Sequence, residues 1–270
     1  MTRARRKLCL IGLDGLRWDV ATEPGLAPGL MRLADEGSAT PVWMVPPTDS
    51  GPGWSSLLTG CSHEQTRVWD NDMINHQLGA CPDLLSLVWM RDHHAVTYAA
   101  ATWRQLLDPH GRGPIVHTRI DQQRNGLHEL FWADGELTGC VAADEEVQAA
   151  AARVIADRGP DAAFVYFEGV DEAGHRYGSA GAEYRAAITR VDGLLRCLVK
   201  AVDERRERHG EDWLIAVVTD HGHKPEGGHG GDEPEVRRSF LVLHCPGATL
   251  PALDTLDPTA VTPLLLDLTA

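Results

Sequence analysis

The chain has 270 residues and a 43% hydrophobic content, enough for one large α/β domain or two small ones with an ordinary core. Its formal net charge of −14 excludes tight binding to duplex nucleic acid, which needs basic patches; phosphate chemistry stays open where divalent ions offset the local acids. No apolar run is long enough to span a membrane, and no membrane partner is expected.

The six cysteines are scattered, with no CxxC pair, and read as free thiols of a reducing compartment. The basic start, residues 1–7, leads into an apolar run that Asp14 and Arg17 break too early for a signal peptide. The expected setting is therefore cytoplasmic.

Taken in order, Leu8–Leu13 (LCLIGL) is a continuous apolar run, the pattern of a strand buried on both faces. It stops at Asp14-Gly15, either a plain turn or a carboxylate in the crevice beyond a strand end. Pro28–Glu36 reads as a short helix stopped by Gly37, and Ser38–Val45 as a strand. In PPTDSGPGWSSLLTG, Pro46 to Gly60, the first half is too rich in Pro and Gly for regular structure, and a helix is expected from Trp54. Ser50 is either turn chemistry or a nucleophile near unpaired helix N–H groups. Asp70-Asn71-Asp72 reads as a polar turn.

Asp83–Asp92 predicts a helix and Ala95–Ala100 a strand, whereas Asp108–Asn125 looks loop-like. Trp103, Phe131 and Trp132 fit either a substrate pocket or a minor core. His93, His94, His110, His117 and His128 lack partner spacing and read as surface or structural. Asp144–Asp157 is a helix for which Asp144 is the expected N-cap.

Phe164–Phe167 is another buried-type strand, followed by a polar loop with Asp171 and His175 four apart. That pair suits zinc or manganese, though the same string also makes a turn with a surface histidine. Ala182–Arg206 carries an apolar stripe of Tyr184, Ile188, Val191, Leu195, Leu198 and Val202. Leu214–Val218 is a third apolar run ending at Thr219-Asp220-His221-Gly222, and His229 follows between glycines. Phe240–Leu243 is a strand, and Asp257–Leu268 a last helix. The alternation predicts α/β architecture with a mainly parallel sheet between helix layers.

Four segments, LIGLDGLRWD, PPTDSGPGWSSLLTG with the following DN, VDEAGHRYG and VTDHGHKPEGGHGGDEPE, together resemble the alkaline phosphatase superfamily. Within it they are most similar to the type I phosphodiesterases and nucleotide pyrophosphatases. The resemblance implies a three-layer α/β/α sandwich formed by residues 1–270 as one domain, with 72–143 as a small substrate-pocket insertion. It also implies two divalent ions, zinc or alternatively manganese. Asp171, His175 and His229 would hold one, and Asp14, Asp220 and His221 the other, bridged by the Ser50 hydroxyl. Asn71 would bind a phosphoryl oxygen.

The sequence departs from the family pattern in three places. The nucleophile position holds Ser50 instead of the branch's usual Thr. Thr66-Arg67 replaces His-Gly, and His223 replaces the Met that usually follows Asp-His-Gly. The sulfatase pattern fails because Trp54 stands where its Arg is needed.

A metal-activated serine predicts hydrolysis of a small phosphoester such as a nucleotide through a phosphoseryl intermediate, with net retention at phosphorus. The alternatives are a phosphomonoesterase and, further off, a phosphonate hydrolase or phosphomutase. A monoester calls for extra positive charge, for which Arg67, Arg104 and Lys224 are the candidates. The oligomeric state is left open.

Overall fold

The computed structural model describes residues 5–270, so residues 1–4 of the basic start lie outside the described residues. Among the described residues a seven-stranded sheet runs in the order β2-β7-β6-β1-β5-β3-β4. The strands are β1 (Lys7–Leu13), β2 (Ser38–Trp43), β3 (Thr97–Ala101), β4 (His128–Trp132), β5 (Ala162–Phe167), β6 (Trp213–Val218) and β7 (Arg238–His244). β1 lies at the centre, parallel to β5 and β6, and only β7 runs against the rest.

Alternation along β1 feeds two cores. Cys9, Ile11 and Leu13 face one layer, and Leu8 and Leu10 face the other. The first layer holds helix α1 (Pro28–Asp35), with α4 (Cys140–Arg158) and α6 (Ala182–His209). The second holds α2 (Ser50–Thr59), α3 (Leu84–Arg91) and α7 (Val261–Leu268), and α5 (Gly169–Tyr177) leaves the end of β5. All six residues of the α6 stripe are buried, each stabilising the fold by roughly 1.5–3 kcal/mol relative to exposure. This is the three-layer α/β/α sandwich that the strand–helix alternation implies.

Four local expectations are corrected. The segment after β5 is a helix, α5, so Asp171 and His175 sit one turn apart on one face. α2 begins at Ser50 and not at Trp54, because Pro52 lies in the first turn, where its missing N–H has no intrahelical partner to lose. Residues 72–143 supply β3 and β4 to the sheet as well as a surface segment. Of the aromatics that the sequence left open rather than assigned, Trp103 belongs to the core, while Trp132 at the end of edge strand β4 is partly exposed.

The fourth correction concerns Asp144, which lies inside α4 and caps a different element. Its carboxylate is fully buried and accepts from Thr102 Oγ1 at 2.6 Å, Glu168 N at 3.0 Å and Gly169 N at 2.9 Å. It thereby holds the start of α5, the helix that carries Asp171. Asp144→Ala leaves these buried donors unpaired. It is expected to lower unfolding free energy by about 3 kcal/mol or more in urea titrations, and an unchanged midpoint would remove Asp144 from this role.

Candidate active site

The carboxyl ends of β1, β5 and β6 lie side by side at the middle of the sheet, and each delivers an acid. Asp14 follows β1 directly, Asp220 follows β6 by two residues, and Asp171 stands in the first turn of α5. This is the crevice where open α/β sheets place ligands. The loop carrying His229 is pinned to the loop before α2: Thr48 pairs with Gly230, and Thr48 Oγ1 donates to the Gly231 carbonyl at 3.0 Å.

Asp14 is fixed by Tyr166, whose hydroxyl donates to Oδ2 at 2.5 Å, and by Trp54 Nε1 on the same oxygen at 2.9 Å. Its Oδ1 is buried and has no hydrogen-bond partner, and neither has Asp220 Oδ2. Both oxygens face His221 Nε2, at 3.3 Å and 3.4 Å. The other nitrogen of that ring, Nδ1, lies 3.1 Å from the Gly222 carbonyl, which assigns the proton to Nδ1 and leaves a lone pair on Nε2. A lone pair and two bare carboxylate oxygens so close, away from water, repel one another unless a cation lies among them. The donor set, two carboxylates and a neutral imidazole, fits a divalent ion.

The second group is built alike. His229 Nδ1 faces the Thr48 carbonyl at 3.1 Å, which leaves Nε2 bare, and that nitrogen lies 3.0 Å from His175 Nε2. Asp171 Oδ2 is 3.5 Å from His175 Nε2, and Oδ1 is 3.6 Å from His229 Nε2. A further ring, His223, places Nε2 2.7 Å from Asp171 Oδ1. Sequence reasoning passed over His223 as a departure, although a third imidazole two residues beyond Asp220-His221 was itself a signal.

Electrostatics point the same way. Burial, reinforced by Asp171, lifts the Asp14 carboxyl to about 7. Burial with Asp14 and Asp171 raises Asp220 well above the usual range, and burial also raises Asp171. Burial and the neighbouring imidazoles hold His221 well below its ordinary value, and burial takes His223 and His229 down to about 4. A cation in the crevice reverses these costs for the acids and suits the neutral rings.

Ser50, 6% exposed, opens the ten-residue helix α2, with Oγ 3.4 Å from His221 Nε2. Asn71 Oδ1 accepts from Gly51 N at 2.7 Å, which brings the Asn71 side chain beside Ser50. The structure thus gathers Asp14, Ser50, Asn71, Asp171, His175, Asp220, His221 and His229 into one crevice. Of the cation candidates, Arg104 is engaged by Asp108 and Asp134, and Lys224 Nζ lies 3.8 Å from Glu233.

A mostly parallel sheet with a carboxylate–imidazole cluster at its central strand ends defines an alkaline phosphatase-like protein with a candidate metal centre. The match to type I phosphodiesterase / nucleotide pyrophosphatase extends over residues 8–234, and the chain belongs to this family of phosphodiesterases and pyrophosphatases.

Human ectonucleotide pyrophosphatase/phosphodiesterase family member 1 is 26% identical over 225 residues, 79% of this chain and 23% of that protein. GPI ethanolamine phosphate transferase 3 of Eremothecium gossypii is 38% identical over 76 residues, 28% of this chain and 7% of that protein. The chain thus matches less than a quarter of the length of these curated relatives. Among solved structures, an inactive variant of murine ectonucleotide pyrophosphatase/phosphodiesterase 5 in complex with AMP superposes with a TM-score of 0.70 at 16% identity, covering 98% of this chain and 95% of that one. Phosphonoacetate hydrolase from Sinorhizobium meliloti 1021 gives a TM-score of 0.57 at 18% identity, covering 81% and 56%.

Proposed function

We propose that the chain is a two-metal hydrolase of small phosphodiesters or pyrophosphates, nucleotides among them, acting through a phosphoseryl intermediate. The observation that carries this reading is the Ser50 hydroxyl at 3.4 Å from His221 Nε2, beside the unpartnered buried oxygens of Asp14 and Asp220. Asp14, Asp220 and His221 would hold one ion, with Ser50, and Asp171, His175 and His229 the other. When bound, such ions lower the pKa of a coordinated hydroxyl and offset charge on the phosphoryl oxygens. Zinc suits the three imidazoles, and manganese remains an alternative.

The chain's own groups then act in sequence. Ser50 Oγ, its proton released to solvent, attacks phosphorus, the bond to the leaving-group oxygen breaks, and that oxygen takes a proton from solvent. Asn71, its carbonyl oxygen occupied by Gly51 N, keeps its amide N–H groups for a phosphoryl oxygen in the transition state. Water then cleaves the phosphoserine. Two inversions give net retention.

A diester is favoured over a monoester by the family match. Of the three cations that could meet a monoester's extra charge, Arg104 is engaged by two aspartates and Lys224 stands against Glu233, which leaves the exposed Arg67. The likeness to ethanolamine phosphate transferases supports a second reading, in which an alcohol replaces water in the last step. The test is turnover of bis-p-nitrophenyl phosphate against p-nitrophenyl phosphate, with zinc or manganese, with and without an added alcohol acceptor. Faster diester cleavage is expected. Faster monoester cleavage would overturn the preference, and a phosphorylated alcohol among the products would favour transfer.

A further inference from the structure

We propose that His223 binds the same ion as Asp171, His175 and His229, so that this ion has four protein donors where the two-ion reading, on which the inference rests, assigns three. Donor atoms of Asp171, His223 and His229 lie within 4.8 Å of one another, in a group that also takes in His221, and His175 Nε2 joins them at 3.5 Å from Asp171 Oδ2 and 3.0 Å from His229 Nε2. His223 Nε2 approaches Asp171 Oδ1 more closely than any other ring nitrogen does, 2.7 Å against 3.6 Å for His229 and 3.9 Å for His221. The ring stands edge-on to His175 and to His229, at centroid distances of 5.0 Å and 5.2 Å, so three imidazoles surround one carboxylate. Three nitrogens and one oxygen are a tetrahedral zinc donor set.

The seat for the ring is built into the chain. Gly174 lies between Asp171 and His175 on α5, and a Cβ there would fall 2.4 Å from His223 Cδ2. At Gly15 a Cβ would fall 2.8 Å from His223 Nε2. The His223 carbonyl is held from the other side by Arg17 Nη1 at 3.1 Å and Ser179 Oγ at 2.9 Å. A ring so confined, at a position where the family usually carries Met, keeps its nitrogen on the metal group and has no route to solvent. An ion with four protein donors is held tightly and must expand its shell to admit a further ligand.

The test is zinc binding by competition with a chromophoric chelator, together with cobalt(II) absorption spectra, on wild-type protein, His223→Met and His223→Gln. Wild-type protein is expected to bind two zinc ions per chain. In each variant the affinity for one ion should fall on the order of 100-fold or more, the second ion being unaffected. The cobalt d–d band should shift as an imidazole leaves the shell. Affinities within about threefold of wild type, or weaker binding with an unchanged cobalt spectrum, would overturn the proposal; the latter would show His223 to be only a hydrogen-bond donor to Asp171. Wild-type protein that takes up no zinc or cobalt would instead overturn the two-ion reading. Circular dichroism on both variants separates lost coordination from lost folding.

Discussion

A Ser50→Ala protein is expected to fold and take up metal as wild type does, while its turnover of bis-p-nitrophenyl phosphate falls on the order of 10³- to 10⁶-fold. The substitution is structurally mild. Ser50 occupies the first helical position of α2, after Asp49 as N-cap, and among the described residues its hydroxyl has only the 3.4 Å contact to His221 Nε2. No buried donor is orphaned by its removal, so unfolding free energy should change by no more than about 0.5 kcal/mol. The cost falls on the reaction, because Ser50 Oγ approaches His221 Nε2, the nitrogen that faces Asp14 and Asp220, whereas the nearby Tyr166 hydroxyl is taken up in donating to Asp14. Ser50→Thr, which restores the hydroxyl the family usually carries, should recover most of the lost rate. Rates measured beside elemental analysis decide the matter. Metal-loaded Ser50→Ala that turns over at the wild-type rate would rule out a phosphoserine.

How much of this was legible in the sequence depends on the burial of each element. The runs Leu8–Leu13, Phe164–Phe167 and Leu214–Val218 announce β1, β5 and β6 because strands covered on both faces need unbroken apolar residues. Those strands carry the candidate metal group, so Asp14, Asp171 and Asp220 were visible as strand-end acids. β4, His128–Trp132, was missed because it is an edge strand with mostly half-exposed side chains and no clear period. The true start of α2 was hidden by Gly51-Pro52-Gly53, a breaker pattern that a first helical turn tolerates. α5 was hidden by Gly174, whose missing side chain reads as loop and in fact makes room for His223. Asp144 was read as a cap from its place before a helix, whereas its partners lie 24 and 25 residues further along the chain. The first two misses follow from exposure and first-turn tolerance. The last two are tertiary contacts that leave no periodic trace.

The second large effect is expected at Asp220, and its sign depends on whether metal is present. Asp220 is fully buried, and its Oδ2 faces the bare Nε2 of His221 at 3.4 Å with no hydrogen-bond donor in reach. Burial, with Asp14 and Asp171 beside it, pushes its carboxyl well above the usual range, so without an ion the site holds a desolvated acid among like charges. Asp220→Asn removes one of these charges at nearly constant volume and supplies an amide N–H to the His221 lone pair. In chelator-treated protein the variant should therefore unfold at a higher temperature than wild type.

With metal the order should reverse. A ligand that binds only the folded state stabilises it by RT ln(1 + [L]/Kd), about 2.7 kcal/mol at a hundredfold excess over Kd. Wild type gains this from the ion held by Asp14, Asp220 and His221, and the variant does not. Turnover should fall with the lost ion, since Ser50 shares that ion's surroundings. The measurement is a thermal melt of both proteins with chelator and with excess zinc, beside the zinc content of each. If wild type melted at one temperature in both buffers, or if Asp220→Asn kept its full zinc content, the buried orphan oxygens would need another explanation. Crossing melting temperatures would tie them to a cation, because a site arranged only for folding gains nothing from the charge that Asp220 brings.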